Sequence, residues 1–500
     1  MQEKFKSVNL LYRILILLYV YKLSRAMSPT YIVICIILYF LFLSLISWYT
    51  GKNDSNESFF LGNRSSPWYI VAFGMIGTSL SGVTFISVPG WVADSQFSYM
   101  QMVFGYMIGY TFIALVLMPL YYKLNLISIY GYLQKRYGLR SYKTGSTFFI
   151  ISRTIGASFR LYIVARVLHL SVFESWGAPF FVTVLVTILL IWLYTFRGGI
   201  KTIIWTDTLQ TIFMLSALIL SVYLIGKDLG IHYTGLASFI QDSEYSKVFF
   251  WEGKQHFFRR FLAGAFIAIA MTGLDQDMMQ KNLSCKNINE AQKNMFYFSA
   301  VLIFVNLMFL SLGVLLYSIA AKYGIILNNP DDLFPAVALS GLLGVPIAII
   351  FILGLIAAAY SSADSALTSL TTSFCVDILE MEDSSHDNII KRKVVHVIFS
   401  IVIMITIMVL NIINDQSIIS AIFSVAGYTY GPLLGLFAFG LFTNYRVNDR
   451  LVPYIAVISP ILSYILQYYF SFGFEILIIN GMIVCSGLYL IRHEKKMVAI

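Results

Sequence analysis

Ala357-Ala-Ala-Tyr-Ser361-Ser362-Ala-Asp364-Ser365-Ala-Leu-Thr368-Ser369-Leu-Thr-Thr372 places seven Ser and Thr hydroxyls and a carboxylate inside an apolar block that runs from 342 to 376. Counted from Ala358, the residues Ser361, Ser362, Ser365, Thr368, Ser369 and Thr372 recur at three- and four-residue steps. That spacing lays them along one face of one α-helix. A single Ser or Thr can bond the carbonyl one turn back and serve only its own helix. Six in register point to a hydrated or ion-lined face. Asp364 lies at the edge of that face. A carboxylate at the centre of a membrane helix costs roughly 2.5–3.5 kcal/mol on insertion scales, so its presence there implies a function.

Working outward, the same apolar background covers most of the chain. Hydrophobic residues make up 58% of 500 positions, charged residues 12%, and mean hydropathy is +0.78. A soluble chain carries roughly 25% charged residues. Apolar blocks lie at 31–48, 68–93, 101–122, 144–170, 178–196, 205–226, 258–280, 296–321, 342–376, 394–412, 418–442, 452–470 and 474–491. Most are near the roughly 20 residues that cross a bilayer as a helix. The expectation is an all-α integral membrane protein with about thirteen transmembrane helices.

The net charge of +9 does not indicate a nucleic-acid partner, because the basic residues sit in short loops between blocks. With the C-terminus placed inside, the inward segments hold twenty Lys and Arg and the outward ones six. This bias predicts a cytoplasmic C-terminus and, with an odd number of spans, an external N-terminus. Lys281 is counted here among the cytoplasmic loop cations. Residues 1–26 break the pattern with Lys4, Lys6, Arg13, Lys22 and Arg25 on the outer side. Their apolar run is too short to span. The reading is a start at Met27 and a single domain over 27–500; a short interfacial helix is the alternative for 1–26.

Block 68–93 contains Gly77-Thr-Ser-Leu-Ser-Gly82-Val-Thr84 and then Val88-Pro89-Gly90. Small polar residues and glycines at mid-span weaken a helix, and unwound backbone at that depth survives only where it is buried in protein or lines a cavity. Carbonyls freed there are ligands for a hard cation. Small residues also permit close helix packing, and the pattern alone does not separate the two readings. Asp275 in Gly273-Leu-Asp-Gln276 and Asp207 in Trp205-Thr-Asp-Thr208 lie near block ends, where solvent could equally hold them. Arg153 and Arg160 lie seven residues apart on one face of block 144–170. A mid-membrane Arg needs a carboxylate, in the protein or on a substrate.

Several separated motifs resemble the sodium/solute symporters that include the sodium–glucose, sodium–proline and sodium–sialic acid transporters. They are Leu80-Ser-Gly-Val-Thr-Phe85 with Pro89-Gly90, Arg197-Gly-Gly-Ile-Lys-Thr-Ile-Ile-Trp-Thr-Asp-Thr-Leu-Gln210, Gly273-Leu-Asp-Gln-Asp-Met-Met-Gln280, Ala357-Ala-Ala-Tyr-Ser-Ser-Ala-Asp-Ser365 and Gly427-Tyr-Thr-Tyr-Gly-Pro-Leu-Leu-Gly435. The resemblance covers about 30–445. It implies a LeuT-like fold of two inverted five-helix repeats, 68–226 and 258–442, each opening with a discontinuous helix. One extra helix (31–48) precedes them and two (452–491) follow.

The resemblance also implies a Na⁺ site formed by the carbonyls of Gly77, Leu80 and Ala358 and the hydroxyls of Ser361 and Ser362. A second Na⁺ site maps onto Asp207, Ser361, Asp364 and Ser365. Its members carry a hydroxyl where this chain has Asp364, so that carboxylate either strengthens the second site or takes a proton. Substrate-lining candidates are Ser81, Thr84, Gln101, Arg160, Asp275, Gln276, Tyr428 and Thr429. The Arg that such members aim at a substrate carboxylate falls about one turn from Arg160.

The implied function is Na⁺-coupled symport of a small organic solute across the cytoplasmic membrane, with one or two Na⁺ as the coupling ions. An organic anion such as sialic acid or a monocarboxylate is the first substrate class; a neutral sugar or amino acid is the second. A solute sensor or an uncoupled facilitator on the same fold is the rival reading. The sequence carries no zinc-protease, nucleophile-elbow or P-loop motif, and its four cysteines and six histidines share no metal spacing. The chain reads as no enzyme, with a solute and the lipid bilayer as its partners.

Overall fold

In this computed structural model the described residues are 29–50, 56–327, 329–381, 386–413, 418–470 and 472–496. Residues 1–26, suspected as an over-extended start, lie outside them. Nearly all regular structure is helical, as a lipid-embedded chain requires: hydrocarbon offers backbone groups no partner, so each segment must satisfy its own.

The helices used below are α1 (Pro29–Thr50), α2 (Trp68–Ser79), α3 (Gly82–Gly90), α4 (Tyr99–Phe112), α5 (Leu139–Leu168), α6 (Phe180–Asp228), α7 (Phe257–Ala268), α8 (Gln276–Leu283), α9 (Ile288–Tyr323), α10 (Val345–Ser373), α11 (His386–Ile413), α12 (Ile418–Thr429), α13 (Gly431–Phe442), α14 (Val452–Phe470) and α15 (Ile476–Leu490). Among the described residues, eight helices are long and apolar enough to cross a membrane, and eleven spans result if each of three bent pairs counts as one. The other two expected blocks hold the shorter apolar helices Phe180–Trp192 and Ile476–Leu490. A two-stranded ribbon, Tyr445–Val447 against Arg492–Lys496, ties the segment after α13 to that after α15.

The bent pairs fall where the sequence weakens a helix. Ser81 is extended (φ −54°, ψ 173°) between α2 and α3, and the two halves meet at 52°. The second pair breaks between Gly273 and Gln276 at 64°. A third bend, of 46° between α12 and α13, was not expected from the sequence. The long α6 also breaks at Gly199, whose φ of +52° is a left-handed conformation that glycine adopts without strain.

α10 is the buried centre. It packs against α6, α5, α3, α8 and α2, and every residue from Leu355 to Ser373 is buried. At the periphery α1 exposes Tyr31, Leu38, Leu41, Leu45 and Trp48, a face suited to lipid. Three cations counted as loop charges are in fact buried: Lys281 (1% exposed), Arg136 and Arg392. Arg136 donates to the Gly440 carbonyl (3.1 Å), and Arg392 donates to Asn56 (2.9 Å). The inward count falls from twenty to seventeen, still well above six.

Candidate functional site

The break between α2 and α3 meets the middle of α10. Gly77 approaches α6 so closely that an added Cβ would collide with Thr211, which favours glycine there. At the break the carbonyls of Gly77 and Leu80 accept no hydrogen bond among the described residues. The Ser362 hydroxyl bridges across, donating to the Thr78 carbonyl (3.2 Å) and to Ala358 one turn back (3.4 Å). The structure therefore brings Gly77, Leu80, Ala358 and Ser362 to one place. Their donor set is neutral oxygen, the chemistry a hard monovalent cation takes. Ser361 stands beside them but donates to Asp207 Oδ1 (2.6 Å).

Asp207 is the hub of an adjacent cluster. It is fully buried, not held in solvent at a helix end. Oδ2 receives the Thr78 hydroxyl (3.1 Å), the Ser365 hydroxyl (3.5 Å) and the Lys281 ammonium (2.5 Å). Lys281 also donates to the Thr78 hydroxyl. Of the four residues proposed for a second Na⁺, Ser361 and Ser365 therefore meet at Asp207, whose carboxylate already holds an ammonium. Asp364 gives its Oδ1 to the backbone N–H of Ser365 (2.6 Å). Sequence reasoning missed Lys281 by treating it as a loop residue. The signal was available: if the helix is broken at 273–276, its second half continues to Leu283 inside the bundle and carries Lys281 with it.

The hydroxyl stripe divides. Its upper part, Ser361, Ser362 and Ser365, faces the ion-ligand cluster. Lower down, Ser369 bonds the Ala366 carbonyl (3.0 Å), while Thr372 bonds the Thr368 carbonyl (2.9 Å) and accepts from Gln280 (2.9 Å). Ser369 and Thr372 thus serve the helix and Gln280, whereas the Thr368 hydroxyl has no partner among the described residues.

Asp275 is fully buried as well. It caps α8, accepting the N–H of Asp277 (2.9 Å) and of Met278 (3.4 Å), and receives the Tyr430 hydroxyl. Arg153 from α5 pairs with Asp277 and lies 3.8 Å from Asp275. The lower Arg of the pair on α5 thus has its carboxylate within the protein.

Arg160, two turns away, is partly buried and has no hydrogen bond or ion pair among the described residues. It lines a cavity with Ser81 and Thr84 at the first break, Tyr106 and Tyr110 of α4, and Arg153. The other expected lining residues lie off this wall. Gln101 holds the loop before α7, donating to Gln255 (2.9 Å) and accepting from Phe250 (3.3 Å). Gln276 bonds Ile127 and Ile129 at 3.0 Å each, outside the cavity. Thr429 meets Ser152 (2.6 Å), and the Tyr428 ring packs beside Tyr464. Conversely, Thr272 and Asn306 line the cavity and were not anticipated.

Comparison with known proteins agrees with this architecture. A sodium/sialic acid symporter, NanT of Aliivibrio fischeri, is 26% identical over 433 residues, 83% of each chain. The human sodium/iodide cotransporter is 24% identical over 78% of this chain and 62% of its own. A solved structure of a Na⁺-coupled sialic acid symporter, substrate-bound and outward-open, superposes with a TM-score of 0.78. That match covers 92% of this chain and 97% of the other at 21% identity, and it establishes a shared LeuT-like fold. The sodium:solute symporter family description matches residues 59–450. With the family match spanning most of its length, the chain belongs to the sodium:solute symporter family.

Proposed function

We propose that this chain moves a small organic anion across the cytoplasmic membrane together with Na⁺, by alternating access. The observation that carries the anion is Arg160: a guanidinium on the wall of a cavity at the first break, with no carboxylate partner among the described residues. A guanidinium in that setting favours a carboxylate, which it can engage through two parallel hydrogen bonds. Two relatives, a sialic acid symporter and an iodide cotransporter, are both named for anions.

Na⁺ would be held by the carbonyls of Gly77, Leu80 and Ala358 and by Ser362. Those groups come from the two repeats, so an ion among them favours the arrangement in which α2 and α10 are together. The solute site borders the same break at Ser81 and Thr84. Each ligand thereby stabilises the geometry the other needs, which is the physical content of coupling. The orientation that fits the seventeen-to-six bias puts the Lys123–Lys143 region and the C-terminus in the cytoplasm, with the N-terminus outside.

The test is uptake into proteoliposomes of a panel of carboxylates, sialic acid, iodide, neutral sugars and amino acids, with Na⁺ or K⁺ outside. Na⁺-dependent uptake of a carboxylate is expected, with Arg160→Ala raising its KM at least tenfold. Uptake confined to neutral solutes overturns the anion; uptake indifferent to Na⁺ makes the chain a facilitator.

A further inference from the structure

The second Na⁺ position does not fit a Na⁺, because a side-chain cation already occupies it. We infer that the Lys281 ammonium is a tethered replacement for a second transported ion, so that this chain carries one Na⁺ per cycle. The inference rests on the symport reading above and fixes its stoichiometry.

Lys281 and Asp207 are both buried, at 1% and 0% side-chain exposure, and lie 2.5 Å apart. The pair is neutral. Burying a further cation against it would place two positive charges within a few ångströms at low dielectric, both facing the one carboxylate that Lys281 already neutralises. Hydrogen bonding gives a second reason: the Ser361, Ser365 and Thr78 hydroxyls donate toward Asp207, and Lys281 donates to the Thr78 hydroxyl, so both Asp207 oxygens and a lone pair of Thr78 are already engaged. The site is arranged for a carboxylate already compensated by an ammonium. Asp364, the one acidic departure among the four candidate ligands, accepts the Ser365 N–H, and among the described residues no ion pair joins it to Lys281.

Position gives the third reason. Lys281 stands on α8, the inner half of the second broken helix, and it contacts Thr78 of α2 and Asp207 of α6. An ammonium there makes, covalently anchored, the bridge between repeats that a mobile ion would make reversibly. One consequence is electrical. With one Na⁺ per cycle and a monovalent anion, the transported charge sums to zero. A 100 mV potential, worth about 2.3 kcal/mol per elementary charge, would then add nothing to accumulation.

The experiment counts ions directly. Equilibrium binding of ²²Na⁺ to purified full-length protein is expected to saturate at one per chain in the wild type. Lys281→Met, with Asp207 intact, should saturate at two, and Lys281→Met/Asp207→Asn should return to one. Two ions in the wild type, or one in a folded Lys281→Met protein, overturns the inference. The wild-type count decides on its own if Lys281→Met does not fold. Absence of Na⁺ binding in the wild type, with Ser362→Ala no different, would instead overturn the symport reading.

Discussion

The two broken helices are built alike in outline and differently in detail. In the second break the freed carbonyls of Gly273 and Leu274 are taken up by protein side chains. The Gly273 carbonyl accepts from Tyr121 (2.9 Å), the Leu274 carbonyl from Tyr130 (2.9 Å), and the N–H groups that open α8 are capped by Asp275. In the first break the carbonyls of Gly77 and Leu80 accept nothing from the described residues, and Ser81 at the start of α3 makes no side-chain cap. An unwound turn at membrane depth must find partners. One break finds them within the fold. The other leaves two carbonyl oxygens without a partner among the described residues, and there the Ser362 hydroxyl of α10 reaches across to Thr78.

The largest expected effect comes from damaging the self-satisfied break. Asp275→Ala removes the cap of α8 and the acceptor of Tyr430, and it takes a carboxylate from the neighbourhood of Arg153. Removing one partner of a buried charged cluster costs about 3–5 kcal/mol. Thermal unfolding in detergent should show a large fall in Tm or no recoverable protein. An unchanged Tm would mean the second break is not held by its cap.

Ser362→Ala acts on the other break and in another currency. It removes the hydroxyl that bridges Thr78 and Ala358. Loss of one of about four neutral oxygen ligands is expected to raise the half-saturating Na⁺ concentration by tenfold or more, equivalent to about 1.4 kcal/mol. Tm in the absence of Na⁺ should shift little. Tyr121→Phe tests the same distinction from the opposite side. It leaves the buried Gly273 carbonyl without its partner, a cost of about 1–3 kcal/mol, and Na⁺ half-saturation should stay where it was. If Tyr121→Phe weakened Na⁺ dependence as strongly as Ser362→Ala, the division between the breaks would fail.

This division also explains what was legible in the sequence. The apolar blocks announce their spans because lipid demands length and apolar composition. The first break announces itself because glycines and hydroxyls at mid-span have few uses. Ser361 and Ser362 stand in a visible stripe for the same reason. The partners of the second break carry no such mark. Tyr121, Tyr130 and Tyr430 look like ordinary aromatic residues in a chain with 33 tyrosines. Lys281 sits just past an apolar block and reads as a loop lysine unless the break at 273–276 is followed through to Leu283. Its role depends on Asp207, 74 residues earlier in the chain, which no local pattern records. The lower half of the hydroxyl stripe fails for a related reason: periodicity identifies a face, whereas the neighbours of that face decide its use. Thr372 meets Gln280 and packs.

The smallest predicted effect is the most direct comparison, because Ser81 and Asp275 hold the same position in the two breaks, each preceding the second half of its helix. At Asp275 the side chain caps. At Ser81 it does not, although Ser is among the best capping residues, and the side chain instead lines the cavity. Ser81→Ala should therefore change stability by no more than about 0.5 kcal/mol, the range of substitutions that remove no cap, core contact or buried bond. Its effect should appear in the KM of the solute. A destabilisation of the size usual for a lost N-cap, about 1 kcal/mol, would show that the first break also depends on its own cap. In that case its unpaired carbonyls would be an incidental feature of a structural turn. A stable protein with an altered KM is the outcome expected of a break kept open for ligands.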